Sequence, residues 1–381
     1  MKKKSIAAIL MAVSLIDLSL SGCGERTDLV DKTVIADDGE PQTSPEEDST
    51  VSEIPTEEPM EDNTVETSEA QDMTESTGES ETEQGETQTE QLESEEVEEP
   101  IQLSEGELRA RREQQENFAE ARQTLYSLPN SIEKTTQINQ MDRQILDNNA
   151  FNFRGKNVVF IGDSITEGIT SAIDQNGNRV SYVTYANSYL HFNSVLNHGV
   201  GGRMFSTYGG DELSLDKNFG NVTNIGADVI VVFAGVNDYL STPENKRFGN
   251  IDDEMSTAGY CGAVRSFMKQ LKLYYGDRDI FFVTMYNTSK IAVSTYSDVE
   301  GQLTLNDYME VQRKLAKDYG FNVIELYDIG MMDCSSVEAS KRYLRDGLHP
   351  NDTGNIVLGE HIAAELSLYF GQKEVDNQDK R

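Results

Sequence analysis

The 381-residue sequence contains no tryptophan, and no aromatic residue of any kind precedes Phe118. Between Ile35 and Glu107 there is also no lysine or arginine, but there are 27 acidic residues, which carry most of the net charge of −35. Such a stretch cannot bury enough apolar surface to offset its loss of conformational entropy. We therefore predict a disordered acidic linker, extended by charge repulsion and at most about 240 Å long at ~3.3 Å per residue.

The shortage of basic residues excludes one class of partner. Nucleic-acid binding depends on patches of lysine and arginine, whereas this chain has 32 basic residues against 67 acidic ones. Nucleotide-binding motifs are also missing: nothing matches GxxxxGK[ST], and the stretch GVGGRM at 199–204 lacks the last glycine of the dinucleotide fingerprint. We expect no nucleic acid among the partners.

Cysteine is scarce as well, with three residues in the chain. No CxxC pair or His/Cys cluster is present, so we predict no metal and no other cofactor. Cys261 and Cys334 could pair outside the cytoplasm, but sequence alone gives no distance between them. We predict that both are buried free thiols.

The N-terminus has the features of an export signal. Lys2 to Lys4 precede an apolar run that is too short, and too interrupted by Asp17, to span a bilayer. The run ends in Leu-Ser-Gly-Cys, which resembles the lipobox of bacterial lipoproteins and implies a lipid on Cys23. We therefore predict a lipoprotein signal peptide at 1–22, followed by the lipidated cysteine and linker at 23–107. An ordinary secretory signal with an incidental cysteine is the alternative.

A helix should follow the linker. In the span 103–129, Ser104 and Glu107 form a capping-box pattern, and the composition favours a largely solvated helix ending near Pro129. We assign a helical neck to 108–150. Its thin apolar stripe is compatible with a neck, a short coiled coil or a helix docked on the next domain.

The remainder has the pattern of an α/β domain, which we place at 151–372, with a disordered tail at 373–381. Continuous apolar runs alternate with stretches that have helical spacing, such as 254–275 and 303–319, and this alternation predicts a mainly parallel sheet with helices on both faces. The predicted strands are 157–161, 194–199, 228–235, 279–286 and 321–326.

Residues with catalytic potential follow these strands. The first strand ends in GDSITEG with Ser164, the second leads to Gly202, and the third is followed by Asn237. A late loop, DGLHPND, contains Asp346 and His349. Ligands of parallel α/β sheets bind at the carboxyl ends of the strands, so these groups should share one crevice. The pattern around the serine lacks the second glycine of GxSxG, so this is not an ordinary α/β-hydrolase.

Taken in order, these blocks resemble the SGNH/GDSL hydrolase family over roughly residues 155–370. The resemblance implies a three-layer α/β/α, flavodoxin-like domain with a five-stranded sheet. Ser164 would be the nucleophile, with His349 as the base and Asp346 as its partner. The oxyanion hole would consist of the backbone amides of Ser164 and Gly202 and the side chain of Asn237.

Two assignments near these blocks leave alternatives open. The glycine of the family could be Gly201 or Gly202, and alignment from Asn197 favours Gly202. For Asp163, next to the serine, helix capping or a structural hydrogen bond is favoured over catalysis.

The sequence thus predicts a surface-anchored serine esterase on the extracellular face of a bacterial membrane. By family analogy, its substrates would be small acyl esters, most plausibly acetyl esters on glycans of the envelope or the diet. An acyltransferase using the same serine and a non-catalytic glycan-binding lipoprotein are the alternatives. Tyr239, Tyr286 and Tyr343 are candidates for lining a sugar cleft, with scattered surface tyrosines as the competing interpretation.

Overall fold

The structure is a computed structural model that describes residues 103–241, 247–252, 258–292, 303–378 and 380. The predicted signal peptide, Cys23 and most of the predicted acidic linker lie outside the described residues. Across those ranges, no helix combines the length and the apolarity needed to span a bilayer. In chain order the elements are α1 (Glu105–Tyr126), α2 (Ile132–Asp147), β1 (Asn157–Gly162), α3 (Ser164–Glu167), α4 (Tyr182–Leu190), β2 (Ser194–Gly199), α5 (Phe219–Val222), β3 (Val229–Phe233), α6 (Val236–Ser241), α7 (Tyr260–Tyr275), β4 (Asp279–Val283), α8 (Ser289–Ala292), α9 (Leu305–Tyr319), β5 (Asn322–Ile324), α10 (Val337–Tyr343) and α11 (Asp352–Gln378).

The five strands form one sheet in the order β2-β1-β3-β4-β5, and every neighbouring pair is parallel. The predicted five-stranded α/β architecture is confirmed. Residues 158–162 of β1 and all of β3 are buried, as expected for central strands covered on both faces. The edge strand β2, with the sequence SVLNHG, is largely exposed or half-buried.

Helices cover both faces of the sheet. On one face, α4 and α2 pack against the long helix α11, and on the other α7 packs against α9. Aromatic side chains fill both interfaces: Phe160 of β1 lies against Tyr182, and Phe205 contacts both Phe282 of β4 and Phe267 of α7. The prediction of buried thiols is confirmed, since Cys261 and Cys334 are both buried and neither forms a disulfide. The core is therefore two apolar layers separated by the sheet.

The strand order reverses at β1, which lies between β2 and β3. In parallel sheets of this order, the crevice for ligands opens at the carboxyl ends of β1 and β3. Ser164 directly follows β1, and Asn237 follows β3 by four positions. The topology alone therefore places these two residues at one edge of the sheet.

The predicted neck is two helices that dock on the domain. Ser104 caps α1 through the predicted capping box with Glu107, so that residues 105–107, assigned to the predicted linker, belong to α1. Phe118 and Leu125 of α1 pack with Met141 of α2 in a small apolar cluster that also includes Ala364 of α11. Of the three options left open by the sequence, the docked helix is the one observed, and no α1 residue is fully buried.

The predicted disordered tail at 373–381 is wrong for residues 373–378, because α11 continues to Gln378. Partners from distant parts of the chain hold this end. Lys373 pairs with Asp279 at the start of β4, and Glu374 lies 2.6 Å from Arg111 of α1. Val375 is fully buried. These partners lie in β4 and α1, far from the tail in the sequence, and the tail sequence by itself does not reveal them.

Candidate active site

A sharp turn from strand to helix presents Ser164. β1 ends at Gly162 and α3 begins at Ser164. Between them Asp163 is the N-cap, and its Oδ1 accepts a hydrogen bond of 2.9 Å from the backbone N–H of Ile165. The serine side chain therefore stands at the carboxyl end of the sheet, 6% exposed.

Ser164, His349 and Asp346 form a continuous chain of hydrogen bonds. Ser164 Oγ lies 2.8 Å from His349 Nε2, and His349 Nδ1 lies 2.7 Å from Asp346 Oδ2. The imidazole is half-buried, whereas the carboxylate is exposed on one side. The structure thus brings the Ser164 side chain together with those of His349 and Asp346, although Ser164 and His349 are 185 positions apart in the sequence. With a proton on Nδ1 shared with the carboxylate, Nε2 is free to accept the serine proton.

The carboxylate of Asp346 also explains why the histidine follows three residues later. Its Oδ1 accepts the backbone N–H groups of Leu348 at 3.0 Å and His349 at 2.8 Å, while Oδ2 faces the imidazole. Partial burial raises the pKa of Asp346, but the hydrogen bonds from His349 and Leu348 outweigh it, so that the pKa lies below its ordinary value. The Asp346 carboxyl group is therefore ionised when His349 acts as a base.

The loop that carries His349 is anchored from β4. Tyr286, just beyond β4, donates a hydrogen bond of 2.6 Å to the carbonyl of Leu348. Tyr286 is fully buried. Tyr239 and Tyr343 are also buried, with exposed fractions of 6% and 2%. Both interpretations of these tyrosines are therefore wrong: they neither line a sugar cleft nor lie on the surface. They belong to the core beneath the site.

The glycines after β2 form a tight turn. The N–H of Arg203 donates to the carbonyl of Val200 at 3.2 Å, and Gly202 has a φ of +79°. This combination is typical of a type II turn, which requires glycine at its third position. The N–H of Gly201 donates to the Glu167 carboxylate at 2.7 Å. The N–H of Gly202, by contrast, donates no hydrogen bond to any of the residues that the structure describes.

Asn237 lies beside this turn. Its Nδ2 donates to the carbonyl of Arg203 at 2.9 Å, one residue after Gly202. The turn is also close to the serine, since a methyl group built on Gly201 would lie 3.9 Å from Ser164 Cβ. The structure therefore brings together all five residues predicted for the site. The glycine turn thus lies beside Ser164, and Asn237 is hydrogen-bonded to that turn. N–H groups of these kinds stabilise a developing oxyanion when they face it.

Asp163 and Asp238 are a second pair of carboxyl groups beneath the site, and both are buried. Asp238 accepts hydrogen bonds from the backbone and side chain of Ser206, while Asp163 caps α3. Burial, together with the charge of Asp238, raises the pKa of Asp163 to about 7. Its contacts are those of a helix cap, the role favoured from the sequence.

We predict that Asp163→Asn removes a pH-dependent loss of stability. The pKa of Asp163 rises from an ordinary value of 3.8 to about 7 on folding, so the native protein binds more protons than the unfolded chain between these values. Stability therefore falls as pH rises through this window, by about 2–3 kcal/mol between pH 5 and pH 8 for one such group. Urea unfolding at both pH values should show this extra loss in the wild type but not in Asp163→Asn.

The exposed Asp277 provides the matched control. Its side chain is fully accessible, so Asp277→Asn should retain the wild-type pH dependence. An Asp163→Asn protein that loses as much stability between pH 5 and pH 8 as the wild type would show that Asp163 is ionised in the folded protein at both values.

Three residues contribute to the site geometry in ways that the sequence did not predict. Glu167 binds the glycine turn, Arg179 lies 3.6 Å from Glu167, and Tyr286 anchors the histidine loop. A signal for Glu167 was present, because it follows Ser164 by three positions in the same helical turn and therefore shares its face. No comparable signal exists for Tyr286, whose hydrogen bond joins residues 62 positions apart.

Metal sites and cavities are the other features that could bind a ligand away from Ser164, His349 and Asp346. Within the described ranges, no group of three or more His, Cys, Asp or Glu side chains is arranged to hold a metal ion. A cavity of about 710 Å³ lies between α1, β5 and α11, and none of the predicted site residues lines it.

Comparisons with known proteins concern the same part of the chain. Residues 160–356 match the model of the GDSL-like Lipase/Acylhydrolase family. The acetylxylan esterase of Xylanibacter ruminicola is 25% identical over 217 residues, which covers 55% of this chain and 42% of that protein. The chain therefore spans less than half the length of this relative.

Solved structures are similar over a comparable range. A protein from Lactobacillus plantarum has a TM-score of 0.48 at 22% identity and covers 57% of this chain and 97% of its own. Axe2, an acetylxylan esterase from Geobacillus stearothermophilus, has a TM-score of 0.41 at 18% identity, covering 56% of this chain and 96% of its own.

Proposed function

The chain belongs to the GDSL-like Lipase/Acylhydrolase family. From this premise we propose that the protein is a serine esterase. It hydrolyses small acyl esters through an acyl-enzyme on Ser164. One observation carries the proposal: the hydrogen bonds that join Ser164 Oγ to His349 Nε2 and His349 Nδ1 to Asp346 Oδ2, at 2.8 and 2.7 Å. A serine hydroxyl becomes nucleophilic when an adjacent base removes its proton, and this arrangement supplies the base and its partner.

In the first half of the reaction, Ser164 Oγ attacks the ester carbonyl while His349 Nε2 takes the hydroxyl proton. The carbonyl oxygen becomes an oxyanion, which accepts hydrogen bonds from the amides of Ser164 and Gly202 and from Asn237 Nδ2. The tetrahedral intermediate collapses, the bond to the alcohol breaks, and His349 gives its proton to the leaving alcohol. An acyl group then remains on Ser164.

In the second half, water replaces the alcohol. His349 Nε2 removes a proton from water as the oxygen attacks the acyl carbon, and the same donors stabilise the second oxyanion. Collapse of this intermediate breaks the bond to Ser164 Oγ and releases the carboxylic acid, while the histidine returns the proton to the serine. Asp346 remains ionised throughout and stabilises the imidazolium.

Acetylated glycans are the substrate class that we propose. The support is the 25% identity to a protein named acetylxylan esterase, together with the surface location expected for a lipoprotein. The test is release of acetate from acetylated xylan and other acetylated polysaccharides, beside p-nitrophenyl esters of increasing chain length. Acetate release from a polysaccharide supports the proposal. Transfer of the acetyl group to a sugar hydroxyl without acetate release would instead indicate an acyltransferase, and no turnover of any ester would contradict catalysis.

We further propose that a lipid on Cys23 attaches the enzyme to the outer face of the membrane and that the acidic linker separates the domain from it. Wild-type protein should partition into the detergent phase with a diacylated N-terminal peptide, whereas Cys23→Ala should remain unprocessed or move to the aqueous phase. Mass spectrometry of the mature N-terminus is the measurement. An unmodified terminus at another residue would contradict lipidation and leave an ordinary secretory signal.

A further inference from the structure

The glycine turn of the site is held by an acidic side chain from the helix that carries the nucleophile. Glu167 Oε2 accepts the hydrogen bond from the N–H of Gly201 at 2.7 Å. Glu167 is the last residue of α3, whose first residue is Ser164. One short helix therefore supplies both the serine and the carboxylate that binds the turn.

The carboxylate has a partner of its own. Its second oxygen, Oε1, lies 3.6 Å from Arg179 Nε. Arg179 in turn donates from Nη1 to the carbonyl of Ile169 at 2.7 Å, and its backbone forms a bridge with Ile173. The guanidinium is therefore an ion-pair partner of the carboxylate and partly offsets its negative charge.

Other contacts fix the start of the turn but not its tip. Asn197 Nδ2 donates to the carbonyl of Thr166 at 2.7 Å. Gly199 approaches α3 so closely that an added methyl group would lie 2.1 Å from the Glu167 nitrogen. Two residues further on, the Glu167 carboxylate is the only hydrogen-bond acceptor that the described residues provide for the Gly201 N–H.

We propose that Glu167 is a positioning residue that sets the distance between Ser164 and the Gly202 amide of the oxyanion hole. This inference rests on the proposed ester hydrolysis. Oxyanion donors must lie about 2.7–3.1 Å from the developing charge, and a displacement of about 1 Å at a remote support can cost roughly 100-fold in rate. Because the oxyanion forms only in the transition state, loss of the support lowers kcat and leaves KM nearly unchanged.

The test compares Glu167→Ala with Glu167→Gln. Glutamine retains an oxygen that can accept the Gly201 hydrogen bond, whereas alanine does not. On p-nitrophenyl acetate we expect Glu167→Ala to lower kcat about 10- to 100-fold and Glu167→Gln about threefold or less, each with KM within about twofold. Arg179→Gln should fall between them. The matched control is Glu133→Ala, which removes an exposed carboxylate that accepts a hydrogen bond from Gln137 within α2.

Phenylboronic acid provides a second readout, because its tetrahedral adduct with a reactive serine mimics the oxyanion. Its affinity should fall in Glu167→Ala in parallel with kcat, while the melting temperature stays near that of the wild type. The inference is overturned if Glu167→Ala keeps kcat within about twofold, or if alanine and glutamine are equally harmful. A parallel loss of melting temperature and rise in KM would overturn it in favour of a structural role.

These outcomes are distinguishable from failure of the proposed function. If wild-type protein does not hydrolyse the ester, the esterase proposal fails and this inference fails with it. If the wild type is active and Ser164→Ala is not, but Glu167→Ala is unimpaired, only the positioning role is excluded.

Discussion

Ser164→Ala is expected to lower kcat for p-nitrophenyl acetate by a factor of about 10⁴ or more. Without the hydroxyl there is no nucleophile for His349 to activate, and no acyl-enzyme can form. The alanine occupies less volume than the serine and leaves the cap by Asp163 in place, so the fold should persist. Initial rates, corrected for hydrolysis in buffer, measure the effect, and thermal unfolding checks the fold.

A control serine and a chemical label make this prediction specific. Ser188 is exposed on α4, where its hydroxyl donates a hydrogen bond to the carbonyl of Tyr185 in the same helix, so Ser188→Ala should retain the wild-type rate. A fluorophosphonate should label the wild type once, on the peptide that contains residue 164, and should not label Ser164→Ala. Wild-type activity in Ser164→Ala, or labelling at another residue, would exclude Ser164 as the nucleophile.

The residues of the candidate site could be predicted because each lies in a short motif, either just after a strand or, for Asp346 and His349, in the loop before the last helix. Ser164 follows β1 and Asn237 follows β3, and strand ends of a parallel sheet meet at one edge. Asp346 and His349 are three positions apart, and their contact is local: the carboxylate accepts the backbone N–H of the histidine as well as its ring N–H. Local sequence pattern and sheet topology are therefore sufficient to predict that such residues lie together.

The docking of α1 and α2 could not be predicted, because it depends on side chains far apart in the sequence. Asn139 of α2 donates to Glu360 of α11 across 221 positions, and Arg122 of α1 pairs with Glu365. Each side chain, taken alone, is ordinary for a solvated helix face. Contacts of the same kind, between Lys373 and Asp279 and between Glu374 and Arg111, hold the last turns of α11, where the sequence shows only a polar, charged segment.

Glu167 illustrates a different limit of sequence reasoning. It lies within the motif GDSITEG, and its spacing from Ser164 places it on the same helix face. Which backbone N–H it binds depends on how closely β2 approaches α3, and that distance is fixed by the tertiary structure. The structure shows that Glu167 binds the N–H of Gly201. The two glycines that were alternatives from the sequence therefore differ in the hydrogen bonding of their N–H groups.

The two glycines occupy different positions of the turn, and a side chain should affect them differently. Gly201 does not have a positive φ, and a methyl group there would meet its nearest neighbours at ordinary contact distances of 3.4–3.9 Å. Gly202 has open space around its Cα, with the nearest atom at 3.6 Å, but its φ is +79°. An L-residue in this left-handed region costs roughly 1–2 kcal/mol, so conformation and not space is the obstacle at Gly202.

Gly202→Ala is therefore expected to lower kcat about 100- to 1000-fold, the usual cost of losing one oxyanion donor. The N–H of Gly202 belongs to the central peptide of the turn, and a change from type II to type I, which relieves the strain, rotates that peptide so that its N–H points away from Ser164. Gly201→Ala, the matched control, should stay within about fivefold of the wild type, because it keeps both the turn and the Gly202 amide. Steady-state rates on p-nitrophenyl acetate and the affinity for phenylboronic acid should separate the two variants in the same order. The opposite order, with Gly201→Ala the more damaging, would show that the Gly201 amide binds the oxyanion and that its hydrogen bond to Glu167 is broken during turnover.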